Sequence, residues 1–222
     1  MILRSKLLLL ASVSFVMVLV LGSKASASVI PITQVSFPPS STLLNFNGLA
    51  DGTEVNGLLV NGVSFTYSLG NGNVVIDGGP GVTNNIDPPN IVTIGNNTGT
   101  LTVILPAQAN LFGYGYAILT FGVVPNATTI SLFSGATPVG SLSYAGASDP
   151  NFTGGFAGIQ STILFDRIEI SFFNSAVVPA FALDNVRFTN TTVPEPMTML
   201  LLGTGLAGLA LKIRKRQHGQ KL

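Results

Sequence analysis

The stretch ILFDRIEISFF, residues 163–173, alternates between apolar and polar side chains. Because successive side chains of a strand point to opposite faces, its apolar residues share one face: Leu164, Ile168, Ile170 and Phe172. The opposite face carries Arg167, Glu169 and Ser171. One buried face and one solvated face are typical of an antiparallel sheet that covers a core on one side. The stretch therefore predicts a strand of an antiparallel β-sandwich.

The rest of the middle of the chain has the same character. Asn-Gly and Asp-Gly steps, which supply the positive φ of tight turns, separate short apolar runs. These runs predict further strands at Leu44–Asn47, Val60–Ser68, Asn73–Ile76, Ile91–Ile94, Thr100–Leu105, Leu111–Val123, Thr128–Phe133, Val139–Tyr144 and Ala180–Phe188. We expect a loop at residues 145–161.

About ten short strands without an amphipathic helix predict an all-β domain over residues 28–190, an antiparallel β-sandwich that is jelly-roll-like. A closed barrel or a β-solenoid is the alternative. A solenoid requires a repeating register of Gly, Asn and apolar positions, which this sequence lacks.

The N-terminal residues are organised as an export signal. Arg4 and Lys6 form the charged segment, residues 7–21 the apolar segment, and Ala25-Ser26-Ala27 the small-residue cleavage site. We expect residues 1–27 to be a signal peptide with a helical apolar segment, cleaved so that the mature chain begins near Ser28. The alternative is an uncleaved anchor helix, which the short apolar run disfavours.

The C-terminal residues, 191–222, present a similar set of features. Val193-Pro194-Glu195-Pro196 precedes an apolar run at residues 197–211, and a basic cluster follows: Lys212, Arg214, Lys215 and Arg216. The prolines favour an extended backbone, which a protease cleft accepts. The positive-inside rule places the basic cluster in the cytoplasm. Fifteen apolar residues extend ~22 Å against a ~30 Å hydrocarbon core, so we expect a marginal transmembrane helix suited to a temporary anchor.

These three ordered features resemble the PEP-CTERM sorting domain. The resemblance implies an exported substrate of exosortase, a membrane-embedded cysteine protease, in a Gram-negative bacterium that makes exopolysaccharide. A looser resemblance, to exported carbohydrate-binding-like sandwiches, rests on the stretches at residues 46–49, 62–65 and 181–188.

Charge and composition exclude several function classes. Residues 28–193 hold eight acidic residues against Arg167 and Arg187, a formal net charge of −6, although the whole chain carries +1. Because this segment has no Lys/Arg patch to neutralise phosphates, we do not expect it to bind nucleic acid. The one His, His218, is in the predicted cytoplasmic tail, and Cys is absent from the sequence. The exported segment therefore lacks the residues for a Ser-His-Asp triad, for a thiol nucleophile and for the common catalytic zinc sites. Carboxylate-pair glycosidase chemistry is the remaining enzymatic alternative, and we predict that the protein is not an enzyme.

Asp184 lies between apolar residues of the last predicted strand, where an unpaired buried carboxylate is costly. One hypothesis is a structural Ca²⁺ held by Asp184, Asn47 and backbone carbonyls. The alternative is an exposed Asp184, or one paired with Arg187 or Arg167. We predict no other cofactor.

The sequence leaves two main classes of function. The first is a non-enzymatic surface or extracellular-matrix protein, held briefly at the inner membrane before an exosortase-like protease processes it. The alternative is a module that binds an exopolysaccharide or a cell-wall glycan. Phe152 and Phe156, in the predicted loop, are candidate sugar-stacking residues, or else they cover the edge of the core.

Overall fold

The computed structural model describes residues 28–83, 85–149, 152–173 and 180–190. A 3-10 turn spans Gln34–Ser36. The eleven strands are β1 Val29–Pro31, β2 Thr42–Leu44, β3 Leu58–Val60, β4 Val63–Tyr67, β5 Val74–Asp77, β6 Asn90–Thr93, β7 Leu101–Ile118, β8 Val124–Ser134, β9 Thr137–Asp149, β10 Phe152–Phe172 and β11 Phe181–Asn190. The named strand pairs are all antiparallel.

The strands form one sheet with the order β5-β6-β11-β7-β10-β8-β9. Strands β7 and β10 pair with each other along most of their length, with register shifts between Gln160 and Arg167 of β10. On one side of the shifts β7 pairs with β11, and on the other side it pairs with β4. The sheet is therefore divided into two parts that share β7 and β10.

The two parts face each other across a common core. Tyr67 of β4 contacts Phe181 of β11 with ring centroids 6.4 Å apart, and Tyr114 of β7 contacts Phe172 of β10 at the same separation. Phe172 and Phe181 stack at 3.9 Å. Because these pairs join the β11 side to the β4 and β8 side, the folded sheet forms two layers, a β-sandwich.

The long strands differ from the predicted lengths. The sequence predicts separate strands on either side of Pro106, whereas β7 continues through it, with Pro106 and Ala107 exposed at the register shift. Proline is tolerated there because a bulge leaves ladder groups unpaired. The predicted loop at residues 145–161 is also wrong. Most of it belongs to two strands, because β9 continues to Asp149 and β10 begins at Phe152.

The prediction of an all-β antiparallel fold is confirmed. The predicted signal helix and transmembrane helix lie outside the described residues. Within the described ranges, no helix has the length and hydropathy needed to cross a membrane.

Candidate functional site

The outer face of the β11 side is built from small residues. In Gly113-Tyr114-Gly115-Tyr116-Ala117 of β7, the tyrosines belong to the core cluster and the small residues point the other way. A row of cross-strand neighbours continues this surface: Val92 of β6 pairs with Ala182 of β11, which pairs with Ala117 of β7. Small side chains let other segments approach the sheet closely.

Two segments lie on this outer face. Ile32 donates a backbone hydrogen bond to Gly158 at 2.8 Å, and Phe37 contacts the Phe156 ring edge-on at 6.1 Å. The second segment, residues 85–90, crosses β7 at Gly115, where a Cβ atom would lie 2.0 Å from the Asn85 carbonyl oxygen. A further strip of this face, at Val92, Ala182 and Ala117, lines a concave surface.

That strip is the floor of a groove of about 310 Å³. The turn at residues 77–80 contributes Asp77, Gly79 and Pro80 to its lining. Its other lining residues are Val92, Thr93, Ile94, Ala117, Ile118, Leu119, Phe152, Ala180, Phe181 and Ala182. Thr93 both donates to the Phe181 carbonyl and accepts from the Phe181 N–H, at 3.2 and 3.1 Å, which fixes β6 to β11 at the groove.

An aromatic pair, formed by the exposed Phe121 and the half-buried Phe152, lies beside the groove. Phe152, which lines it, stacks on Phe121 with ring centroids 6.2 Å apart and planes 17° apart. Phe121 is 77 % exposed, and Leu119, also in the lining, is 43 % exposed. A large apolar side chain that stays in water at the edge of a concave surface is a common mark of a binding site.

The sequence identified half of this pair. Phe152 and Phe156 are both half-buried, and Phe156 packs on Phe37, so it covers the edge of the core rather than offering a free face. Phe121 was missed because it falls in a predicted strand, where a single Phe is normally a core residue. The sequence signal at this point is Gly122, because glycine often ends a strand, and in the structure Gly122 has φ +92° and ends the extended backbone.

Asp184 is fully buried beneath the 85–90 segment. Its Oδ2 accepts the Asp87 N–H at 2.9 Å, and Oδ1 has no hydrogen-bond partner among the described residues. Asn185 has φ +51° at the bulge in β11, and its side chain donates to the Asn85 carbonyl at 2.9 Å. These bonds attach the 85–90 segment to β11.

Burial raises the pKa of Asp184 to about 7, against the lowering effect of the Asp87 and Asn185 N–H groups, and the charge of Asp87 adds to the rise. Because Asp184 is fully buried, the alternative of an exposed Asp184 is wrong. Arg167 is engaged with Glu169 and lies 3.9 Å from the centroid of the Phe133 ring. Arg187 has a buried Nε without a hydrogen-bond partner in the described part of the chain.

The other predicted calcium ligand lies in a turn. Asn47 is exposed, and its N–H donates to Asn45 Oδ1 at 3.4 Å. In the described part of the chain, no cluster of three or more His, Cys, Asp or Glu side chains has the arrangement of a metal site. The calcium site stays a prediction.

The predicted sorting and cleavage residues fall at the limits of the described chain. Ser28 is described, and its N–H donates to Thr162 Oγ1 at 3.1 Å just ahead of β1. Ala25 and Ala27 lie outside the described residues, as do the sorting motif and the basic cluster: Val193, Pro194, Glu195, Pro196, Lys212, Arg214, Lys215 and Arg216.

Comparison with known proteins identifies the tail. Residues 192–216 match the PEP-CTERM protein-sorting motif, which confirms the resemblance found in the sequence. Curated protein sequences give no match to the chain.

Solved structures give distant likenesses to the β-domain. A carbohydrate-binding module of family 29 (CBM29-2) is 8 % identical with a TM-score of 0.39, covering 71 % of this chain and 97 % of the module. The same module has been solved with mannohexaose, at a TM-score of 0.40. The K2 cleaved adhesin domain of Lys-gingipain is 13 % identical with a TM-score of 0.45, covering 69 % of this chain and 100 % of that domain. Likenesses of this degree support no statement about what this chain binds.

Proposed function

We propose that this protein is an exported, non-enzymatic surface or extracellular-matrix component of a Gram-negative bacterium, a jelly-roll-like sandwich sorted through its tail by an exosortase-type membrane protease. The match of residues 192–216 to the PEP-CTERM motif carries the proposal. The signal peptide starts export, and the apolar run at residues 197–211 holds the chain in the inner membrane while the basic cluster stays in the cytoplasm. Cleavage near Pro194-Glu195-Pro196 then frees residues 28–190 for the cell surface or the matrix.

Each part of the tail has a separate physical task. The two prolines keep the cleavage segment extended because they lack a backbone N–H and restrict φ. Glu195 presents one negative charge to the protease at the outer, non-cytoplasmic face of the inner membrane. The short apolar run holds the chain only weakly, which suits an anchor that is removed.

Mass spectrometry of the mature protein from its native cells tests this pathway. We expect an N-terminus at Ser28 and a C-terminus near residues 194–196, without the basic cluster. Substituting Arg214, Lys215 and Arg216 together by Ala should cause uncleaved protein to accumulate. Lys221→Ala is the matched control, because residue 221 lies beyond the matched motif. A full-length chain that persists in the inner membrane of cells with an active protease would contradict the proposal.

A second function, a glycan-binding module, is favoured by the groove and by the Phe121–Phe152 pair beside it, in which Phe121 is exposed. Concave apolar sites with a few polar groups are typical of small-molecule binding, and ring faces suit the apolar faces of sugars. A glycan array probed with the mature protein separates the two functions. Saturable binding to one sugar class supports the module, and silence across the array supports the structural role.

A further inference from the structure

The lining of the groove restricts the chemistry of its ligand. Val92, Ala182 and Ala117 form an apolar floor, set by the cross-strand pairing of β6, β11 and β7. A charged polar group stands at the edge, where Asp77 is the last residue of β5 and begins the turn at residues 77–80. A ligand that fits this groove therefore has an apolar face and a polar rim.

The aromatic pair extends the apolar surface out of the groove. Phe152 belongs to both the lining and the pair, so the floor, Phe152 and Phe121 are continuous. Phe121 is 77 % exposed, and the loop that carries it also exposes Leu119 and Val123. A ligand that covers these side chains removes apolar area from water, which contributes favourably to its binding free energy.

Charge excludes an acidic ligand. Asp77 is the charged residue of the lining, and residues 28–193 carry a net charge of −6. The two arginines of that segment are placed elsewhere. Arg167 binds Glu169 on β10, and Arg187 lies in β11 beyond the bulge. Among the described residues that line the groove, a uronate or a sulfated sugar would meet the Asp77 carboxylate and no cation.

We propose that the groove binds a neutral pyranose unit of a polysaccharide, with the C–H face of one sugar ring on the Phe121–Phe152 pair and hydroxyl groups directed to Asp77. A pyranose ring has the required form, since its C–H bonds make apolar faces and its hydroxyls make a polar rim. This inference rests on the glycan-binding function proposed above, and it adds the location of the site and the charge of the ligand.

The test measures binding of the full chain in a zwitterionic detergent, which carries no sugar headgroup. The probes are a series of neutral hexose polymers, with polygalacturonate as the anionic counterpart. Phe121→Ala should weaken binding to a neutral polymer by roughly tenfold. Leu59→Ala is the matched control, because Leu59 is an exposed apolar residue of β3, away from the lining, and its loss should leave binding unchanged. Asp77→Asn should retain binding to neutral polymers while relaxing the exclusion of polygalacturonate.

The possible results distinguish a wrong site from a wrong function. Neutral binding that persists in both Phe121→Ala and Phe152→Ala would overturn the site and leave the glycan-binding function standing. Binding to polygalacturonate alone would overturn the neutral ligand. If no glycan binds, both the proposed site and the glycan-binding function are wrong. If the protein self-associates and Phe121→Ala abolishes this, the face binds a second copy of the chain. Equal melting temperatures of the variants and the wild type show that each variant is folded.

Discussion

Gly115 marks the closest approach of the 85–90 segment to the sheet. A Cβ atom at this position would lie 2.0 Å from the Asn85 carbonyl oxygen, which is backbone and cannot rotate away. We expect Gly115→Ala to lower the free energy of unfolding by about 2–3 kcal/mol. Gly78→Ala is the control, because its Cβ would meet no atom within 4 Å, and its effect should stay within about 0.5 kcal/mol. Chemical denaturation of the two variants measures the difference, and equal stabilities would contradict the observed contact.

Asp184 makes stability depend on pH. Its pKa rises from 3.8 to about 7 on folding, so between these values the folded state binds a proton that the unfolded state releases. Stability therefore falls as pH rises from about 4 to 7 and levels off above 7, with a total loss of at most roughly 4 kcal/mol.

Asp184→Asn removes this titration and keeps an oxygen acceptor for the Asp87 N–H. With EDTA present, we expect the variant to be more stable than the wild type at pH 8 and about equally stable at pH 4.5. Thermal melting across this range checks the prediction. A parallel pH dependence in the two proteins would rule out Asp184 as its source.

The calcium hypothesis is tested on the same two proteins. A structural Ca²⁺ bound by Asp184 would raise the melting temperature of the wild type at pH 7.5 and leave that of Asp184→Asn unchanged, because binding to the folded state stabilises it. Calorimetry with CaCl₂ and with chelator makes the measurement. Equal melting temperatures of the wild type under both conditions would rule out a structural Ca²⁺ at Asp184.

At the scale of the element, the bulge in β10 decides which side chains enter the core. Strict alternation predicts Leu164 inside, yet Phe165 is fully buried and Leu164 is only half-buried. The register shifts on both sides of Phe165 move the inward face by one residue before alternation resumes at Ile168. We expect Phe165→Ala to cost about 3–5 kcal/mol and Leu164→Ala about 1 kcal/mol. Denaturant midpoints of the two variants measure this, and the reverse order would favour the unshifted register.

The bulge also explains how far sequence reasoning reaches. Alternation at Ile168, Ile170 and Phe172 predicts a half-buried strand because that pattern depends only on side-chain direction, and all three are buried. The bulge at Phe165 arises from pairing with β7, a contact distant in sequence that local patterns do not record. For the same reason, the sequence predicts two strands, Thr100–Leu105 and Leu111–Val123, where the structure has the continuous β7.

The candidate site likewise has a part that local sequence predicts and a part that depends on contacts distant in sequence. The sorting motif is local in sequence and was predicted in full. The groove is assembled from β5, β6, β7, β10 and β11, so its position depends on the strand order. Phe152 is a candidate in the sequence because of its place in the predicted loop at residues 145–161, whereas its partner Phe121 is 31 positions away and is recognised only from the ring contact in the fold.

For the whole molecule, the position of β11 defines how much of the chain the domain needs. β11 lies inside the sheet, paired with β6, β7 and β2, and it contributes Phe181, Leu183, Val186 and Phe188 to the core cluster. The core residues of the described chain end at Phe188. A chain that stops after Asn190 thus retains every described strand.

We therefore predict that a chain truncated after Asn190 is exported and folds with the melting temperature of the naturally processed protein. A chain truncated after Ala180 is the control. It lacks β11, which exposes the edges of β6 and β7 and removes Phe181 from its 3.9 Å stack with Phe172, so we expect it to be degraded. Cell fractionation and calorimetry of the exported product make the comparison. If the longer truncation also fails to fold, the tail is part of the folding unit rather than a removable sorting signal, and the proposed order of export, anchoring and cleavage fails with it.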